Sequence, residues 1–279
     1  MTWVTYQVTF RLLSPMHIGW RKLGNLQQTR PYVTGRSLWG ALTARITREL
    51  GSSDYEKIGK QADQQLAFTY FYPSTSKDPD EISLWPWEDN WDKFAWAFLG
   101  SYASTALENG RSAEAGSLHE TEFIAPYTRD EEPVYLIGYI FENDSLKHDN
   151  PSMLDKWQDV LGKLQLGGER SYGWGRVCLE KPCNEVKNNK CFGYELDCNG
   201  DHPKVKVPKE QELLAHTDTE NVDSTGAIEP FLGRETRDST GFGKNFSKHK
   251  ICWVPGSKVL KDETFLILEK GIWERYPLN

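Results

Sequence analysis

Residues 166–177 read LGGERSYGWGRV, and this stretch decides how the chain is interpreted. Four glycines fall within nine residues, so the backbone can adopt positive φ and approach a partner closely. Successive exposed amides in such a loop form a concavity suited to phosphate. Arg170 and Arg176 add positive charge, while Tyr172 and Trp174 offer ring faces on which bases can stack. The stretch predicts a nucleic-acid-binding loop, with a tightly packed structural turn as the alternative.

Periodicity in the first third of the chain predicts the elements that precede this loop. Residues 4–12 alternate between apolar and polar side chains, which is typical of a half-buried strand. Apolar residues then recur every four positions over 37–50, which predicts an amphipathic helix with Ser37 as its N-cap. Residues 51–118 are acidic and rich in Trp, and we interpret them as an insertion that is partly helical near 91–107.

The following residues predict the second half of the same domain. Residues 121–126 and 134–141 have the composition of two strands. Asn150-Pro151 is typical of a helix start, because Pro is favoured at the first helical position. Gly167-Gly168 ends this helix, and residues 176–179 predict the closing strand.

The order of these elements defines the predicted fold class, which is α+β. Strand, helix, strand, strand, helix, strand is the βαββαβ order of ferredoxin-like (RRM-like) domains. The predicted domain covers residues 1–180, with the Trp-rich insertion at about 51–118. Residues 181–279 predict a smaller C-terminal module that is rich in β-structure.

Charge is distributed unevenly along the chain. The net charge is −7, yet residues 1–48 hold seven Arg or Lys and no acid. Residues 230–261 hold seven basic residues against two acidic ones. Such segregation focuses positive potential on particular surfaces of an acidic protein. Both segments are therefore candidate contacts with a polyanion.

Each basic segment contains specific candidate residues. Arg36 and Ser37 lie at a predicted helix start, where free N–H groups and the helix dipole favour phosphate, and Arg45 follows on the same helix. Residues 233–250 alternate glycine with basic residues, for which a solvated loop is the alternative interpretation. The candidates in that segment are Arg234, Arg237, Lys244 and Lys248.

Three motifs in this order resemble the RAMP superfamily of CRISPR-associated proteins. The first is SPMHIG at 14–19, after the first strand, and the second is PYVTGRSLWGAL at 31–42. The third is the glycine-rich stretch at 166–177. The resemblance covers residues 1–50 and 119–180 well, and it extends only loosely to the C-terminal module.

The resemblance implies a guide (CRISPR) RNA-binding structural subunit of a type III effector complex, in the handle-capping or backbone group. We expect it to bind the 5′ handle end of the guide RNA. Other effector subunits are expected partners through the Trp-rich insertion and the sheet edges, and target RNA is a further candidate partner. The resemblance implies RNA contact through the glycine-rich loop and the basic helix start, and local composition adds the segment at 233–250. Together the candidate RNA-binding residues are Arg36, Ser37, Arg45, Gly167, Gly168, Arg170, Ser171, Tyr172, Gly173, Trp174, Gly175, Arg176, Arg234, Arg237, Lys244 and Lys248.

The same resemblance leaves two enzymatic alternatives open. One is a metal-independent endoribonuclease that processes precursor CRISPR RNA, with His17 as general base and His119 or His249 as weaker candidates. The other is a backbone subunit that cleaves target RNA with Asp54 or Asp63. The family gives the motif His a structural part, so we expect a subunit with no catalytic residue.

The composition gives expectations about cofactors and about the cellular compartment. The five cysteines, at 178, 183, 191, 198 and 252, are odd in number and match no zinc-binding spacing. We expect free thiols in a reducing cytoplasm and neither metal nor cofactor. No apolar run approaches the roughly 20 residues of a membrane span, and no basic region precedes an apolar stretch at the N-terminus. We therefore predict a cytoplasmic protein without membrane contact.

Overall fold

A computed structural model of the protein describes residues 2–82, 84–87, 90–108, 112–144, 157–237, 241–246 and 250–277, and only the backbone of 234–237 and 241–246. The helices in these ranges are α1 (Gly35–Glu49), α2 (Tyr55–Gln65), α3 (Trp91–Phe98) and α4 (Trp157–Leu161), with 3-10 turns at Pro79–Glu81 and Arg170–Tyr172. The strands up to residue 180 are β1 (Trp3–Leu12), β2 (Gly19–Leu23), β3 (Leu26–Thr29), β4 (Leu66–Phe68), β5 (Tyr72–Ser74), β6 (Leu99–Ser104), β7 (His119–Ile124), β8 (Tyr135–Asn143) and β9 (Val177–Leu179). The later strands are β10 (Asn184–Glu185), β11 (Lys190–Cys191), β12 (Tyr194–Asp197), β13 (Lys204–Val207), β14 (Thr217–Asp218), β15 (Ser224–Thr225), β16 (Ile228–Phe231), β17 (Arg234–Arg237), β18 (Gly241–Phe246), β19 (Lys250–Trp253), β20 (Lys258–Val259), β21 (Glu263–Ile267) and β22 (Trp273–Arg275).

The central sheet is built around β1 and β8. These two strands pair antiparallel in continuous register along residues 3–11 of β1. Strands β9 and β10 pair with the other side of β1, while β4 and β5 pair with the other side of β8. The sheet is therefore antiparallel throughout, and the alternating pattern of residues 4–12 correctly predicted its first strand.

The second strand of this sheet lies where the sequence predicted an insertion. Strands β4 and β5 run along the edge of β8, within the predicted insertion at 51–118. All three residues of β4 are buried, so no alternation marks it as a strand. The predicted strand at 121–126 instead forms β7 in a separate sheet of order β2-β3-β7-β6. Its assignment to the central sheet is wrong.

One face of the central sheet packs against helices α1, α2 and α4. Leu38, Leu42 and Ile46 of α1 are buried in this core, as the four-residue spacing predicted. The helix begins three residues earlier than an N-cap at Ser37 predicts, because Thr34 rather than Ser37 is the N-cap. Thr34 has extended backbone dihedrals, and its hydroxyl accepts a hydrogen bond from the Ser37 amide at 3.3 Å. For α4 the described part starts at Trp157, and the predicted helix start at Asn150-Pro151 lies outside the described residues.

The opposite face of the central sheet is covered by the C-terminal residues. Their largest sheet has the order β11-β12-β13-β21-β22-β14-β19-β16. A second core joins the two parts, with Tyr70 and Tyr72 on one side and Leu213 and Phe265 on the other. The described residues beyond 180 form strands without an α-helix, and the protein as described is α+β and sheet-rich. In the same ranges no helix has the length and apolarity needed to cross a bilayer, and all five cysteines are free.

The tryptophans of residues 85–96 divide into two groups. Trp85 and Trp87 stack at 5.0 Å between ring centroids, and Trp85 also contacts Tyr72 edge-on. A methyl group at Gly256 would lie 2.8 Å from Trp87, so this pair fills the junction between the central sheet and the C-terminal residues. Trp91 and Trp96 are 38% and 55% exposed. This second group is the more exposed of the two, and the contact of the Trp-rich insertion with other subunits stays a prediction.

Candidate functional site

The glycine-rich loop at 166–177 is built against the segment that follows β1. The Gly168 amide donates to the His17 carbonyl at 2.8 Å, and the Gly175 amide donates to the Pro15 carbonyl at 2.7 Å. The Arg176 amide donates to the Ser14 hydroxyl at 2.9 Å. The first and third sequence motifs are therefore two halves of one structural unit.

Two glycines of the loop are required by close backbone packing. Gly167 and Gly175 have φ of +80° and +75°, backbone conformations that residues other than glycine rarely adopt. A methyl group at Gly167 would overlap the His17 carbonyl oxygen, and one at Gly175 would overlap the Leu166 carbonyl oxygen. The alternative interpretation, a tightly packed turn, therefore describes the backbone of this loop correctly.

The predicted concavity of open amides is only partly available. The Gly168 and Gly175 amides donate to carbonyls before β2, and the Gly173 amide donates to the Arg170 carbonyl at 3.0 Å. The amides of Tyr172 and Trp174 both donate to the Glu169 carbonyl. Because these five N–H groups have protein acceptors, they are not free to form part of the predicted phosphate-binding concavity.

The loop instead presents side chains. The residues of the turn Arg170–Tyr172 are exposed, Tyr172 to 80%, and Arg176 is exposed as well. Trp174 is half-buried and meets Phe123 edge-on at 5.2 Å. The Gln165 side-chain amide donates to the Arg170 and Trp174 carbonyls at 3.0 and 2.7 Å. These two hydrogen bonds hold the turn in place. Among the described residues neither Arg170 nor Arg176 forms an ion pair.

His17 has a structural environment. Its ring is buried, and Nδ1 donates to the Glu122 carbonyl at 2.8 Å. The Glu122 carboxylate accepts from the Thr29 amide at 2.9 Å, and burial raises the pKa of Glu122. The imidazole thus joins the end of β1 to β7, and it faces the loop at Gly168 rather than solvent.

The other catalytic candidates also have structural partners. Asp54 is the N-cap of α2, and its carboxylate accepts from the Lys57 amide at 2.8 Å. Asp63 lies 3.6 Å from Lys270 in an ion pair. His119 contacts the Ser117 carbonyl through Nδ1 at 3.0 Å. His249 lies outside the described residues.

Of the remaining candidate RNA contacts, the structure brings the start of α1 and the residue before β17 together. Arg36 packs against Gly233, so the start of α1 touches the base of the β17–β18 hairpin. Arg45 instead pairs with Glu49, and hydrogen bonds from Lys163 and Arg45 lower the pKa of Glu49. The side chains of Arg234, Arg237 and Lys244, and all of Lys248, lie outside the described part.

A polar network that the sequence gave no reason to expect lies where the three sheets meet. Glu229 of β16 accepts from Arg30 and from His216 Nε2, both at 2.6 Å, through Oε1. Its Oε2 accepts from the Trp20 indole at 2.8 Å. The other ring nitrogen of His216, Nδ1, forms a hydrogen bond with the Tyr70 hydroxyl at 2.7 Å. The Glu229 carboxylate therefore joins the β2–β3 hairpin to the C-terminal sheet, and His216 extends the network to Tyr70 between β4 and β5 of the central sheet.

The protonation states of this network follow from its geometry. Burial lowers the pKa of His216 to about 4, and the nearby Arg30 charge adds to this, so the imidazole is neutral at pH 7. Nε2–H donates to Glu229, and Nδ1 accepts from the Tyr70 hydroxyl. Burial would raise the pKa of Glu229, but the His216 hydrogen bond and the Arg30 charge dominate and lower it to about 2. The network therefore contains one carboxylate and one guanidinium.

These features define a sheet-rich α+β protein whose glycine-rich loop is built onto the end of the first strand and presents arginine and tyrosine side chains. The chain belongs to the RAMP superfamily, whose family model matches residues 9–178. The three motifs at 14–19, 31–42 and 166–177 predicted this family correctly.

Many chains of solved structures are similar to this protein, among them two in type III-B complexes. One is in the cryo-EM structure of the Type III-B Cmr-beta bound to cognate target RNA and AMPPnP, with 13% identity, a TM-score of 0.49, and coverage of 91% of this chain and 85% of that chain. The other is in the structure of the Type III-B Cmr-beta bound to cognate target RNA, with 8% identity, a TM-score of 0.43, and coverage of 63% and 96%. No curated protein sequence matches the chain.

Proposed function

We propose that the chain is a guide-RNA-binding structural subunit of a type III CRISPR ribonucleoprotein, and that it binds the 5′ handle end of the guide. One observation carries the proposal: in a RAMP protein, a rigid loop presents Arg170, Tyr172 and Arg176 to solvent. Guanidinium groups bind phosphate oxygens in bidentate geometry, and an exposed tyrosine ring stacks on an unpaired base. Arg36, at the base of the β17–β18 hairpin, is a second contact in this proposal.

The proposal includes a ferredoxin-like fold for residues 1–180 and a separate C-terminal module for 181–279. The strand order supports the fold, because the first and third strands (β1 and β8) are central and pair antiparallel. The second strand (β4 with β5) and the fourth (β9) occupy the two edges, and β10 continues the β9 edge with residues beyond 180. The five free cysteines support a reducing, cytoplasmic location for the complex.

The direct test is the double substitution Arg170→Ala with Arg176→Ala. Both side chains are exposed, so the variant should fold normally while guide-RNA affinity falls by tenfold or more. A hydrogen bond to a charged group contributes about 1.5–3 kcal/mol. The slope of log affinity against log salt should fall by about 0.7 for each lost phosphate contact to single-stranded RNA. Filter binding or fluorescence anisotropy over a salt series measures both quantities.

The matched control removes two exposed cations elsewhere. Lys206→Ala with Lys209→Ala changes the net charge equally on the C-terminal sheet. The control should leave the affinity within about twofold of wild type, because long-range attraction is screened at physiological salt. If both double variants weaken binding equally, or neither does, the loop is only a structural turn.

His17 separates the structural subunit from the processing enzyme. His17→Gln keeps a donor for the Glu122 carbonyl but removes the group that titrates near pH 7. We expect unchanged assembly, unchanged guide-RNA affinity and unaltered target cleavage by the whole complex. The decisive measurement is incubation of wild-type protein with repeat RNA in EDTA. Site-specific cleavage by the wild type that is lost in folded His17→Gln would replace the structural role with precursor processing.

A further inference from the structure

A cleft opens on the side of the molecule formed by the turn before α3, α3 itself and the β7–β8 connection. Its volume is about 160 Å³, and a cavity of about 150 Å³ is large enough for a benzene ring. The cleft therefore has room for one large side chain. Its apolar lining includes Pro73, Ile82, Leu84 and Phe98.

The rim of this cleft is acidic. Asp130 and Glu132 line it and are exposed. An apolar slot beneath carboxylates fits a long cationic side chain, which buries its methylene stem and leaves its charged head at the rim. The same carboxylates repel phosphate, so RNA does not fit this surface.

An exposed aromatic side chain lies beside the cleft. Trp96 is 55% exposed on α3, directly before two residues that line the cleft. Arg129, which precedes the rim residue Asp130, donates through Nε to the Trp96 carbonyl at 2.9 Å. The rim and the tryptophan are thereby fixed to each other. Tryptophans that dock into partner proteins are frequent energetic centres of interfaces.

We propose that this cleft binds a basic segment of a partner protein subunit, inserting one arginine or lysine side chain beneath Asp130 and Glu132 while Trp96 packs alongside. Charge complementarity selects this occupant over RNA and over an apolar segment. The inference rests on the proposed function only for the identity of the partner, which would be another subunit of the same ribonucleoprotein.

The test uses a short peptide with a single central arginine and an otherwise identical peptide with citrulline, which is neutral and of similar shape. Titration of the wild-type protein, followed by tryptophan fluorescence, should detect the arginine peptide at low millimolar concentration. Asp130→Asn with Glu132→Gln should weaken its binding at least tenfold. These substitutions are nearly isosteric, and the turn at 128–132 is closed by backbone groups and the Thr128 hydroxyl, so the fold should persist.

The control substitutes two exposed carboxylates of the C-terminal residues, Glu195→Gln with Glu210→Gln, and should leave peptide binding unchanged. In the reconstituted complex, the rim variant should lose a protein subunit while guide RNA stays bound. Loss of RNA instead of protein would overturn the proposal. So would equal binding of the citrulline peptide, unchanged binding by the rim variant, or no arginine-peptide binding by the wild type. Failure of the glycine-rich loop to bind RNA would leave the peptide titrations intact and would count against the proposed function alone.

Discussion

Replacing Glu229 by Ala should destabilise the protein by about 3 kcal/mol, the lower end of the range for removing one partner of a buried ion pair, because both side chains of this pair are partly exposed. The Arg30 side chain is 11% exposed and would lose its carboxylate. The His216 Nε2–H and the Trp20 indole N–H would lose the same acceptor. Since this network joins three sheets, the loss should appear in the global unfolding transition. Urea unfolding followed by far-UV circular dichroism measures it.

A surface carboxylate provides the comparison. Glu195 is 73% exposed and lies 3.6 Å from Lys206, so Glu195→Ala should change stability by less than about 1 kcal/mol. If Glu229→Ala costs no more than this surface variant, the network contributes nothing beyond an exposed pair. A variant with a normal midpoint but altered RNA affinity would instead place Glu229 at the RNA surface.

The effect of Glu229→Ala should also depend on pH. The pKa of Glu229 is lowered from 4.5 to about 2, so its carboxylate stabilises the folded state fully above pH 4.5. As the pH falls from 4.5 towards 2, the unfolded chain takes up a proton before the folded chain does, and this contribution is lost. The difference in unfolding free energy between wild type and variant should therefore shrink over that window. A constant difference would mean that the carboxylate charge has no part in the stabilisation.

The sequence predicted those parts of the fold whose signals are local. The alternation in β1 and the four-residue spacing in α1 each reflect burial of one face of one element. Strands β4 and β5 have three residues each and are buried on both sides, so no periodicity distinguishes them from other apolar segments. The Trp-rich composition around them then favoured an insertion.

The candidate site was predictable to a similar extent. Glycines at unusual density correctly indicated positive φ and close approach at Gly167 and Gly175, but composition could not show what approached. The approaching groups are carbonyls of the protein itself. Those of Pro15 and His17 are far away in sequence, and that of Leu166 approaches Gly175 only because the loop turns back on itself. Glu229 and Arg30 are 199 positions apart, and neither stands out locally. Pairings of this kind depend on the topology of the fold, and local patterns in a single sequence do not reveal that topology.

Gly175→Ala should be the most damaging substitution in the glycine-rich loop, with an expected loss of about 3 kcal/mol or more. An alanine at φ of +75° costs about 1–2 kcal/mol by itself. Its methyl group would also overlap the Leu166 carbonyl oxygen, and separating them strains the 2.8 Å hydrogen bond from the Leu166 amide to the Gly175 carbonyl. The hydrogen bond from the Gly175 amide to the Pro15 carbonyl would be strained by the same backbone shift. The loop should therefore detach from the segment that follows β1.

Gly173→Ala is the matched control, because Gly173 has a similar φ of +85° but no atom within 4 Å of the position its methyl group would take. It should cost only the conformational strain, about 1–2 kcal/mol, and leave guide-RNA affinity within a few-fold of wild type. Gly175→Ala, compared under conditions where both variants are folded, should lose affinity to the same extent as the arginine double variant, since it displaces Arg170 and Arg176 together. Equal stability losses for the two glycine variants would show that the loop tolerates displacement from β1. A destabilised Gly175→Ala that still binds guide RNA normally would separate the structural role of the loop from RNA binding and move the RNA contact elsewhere.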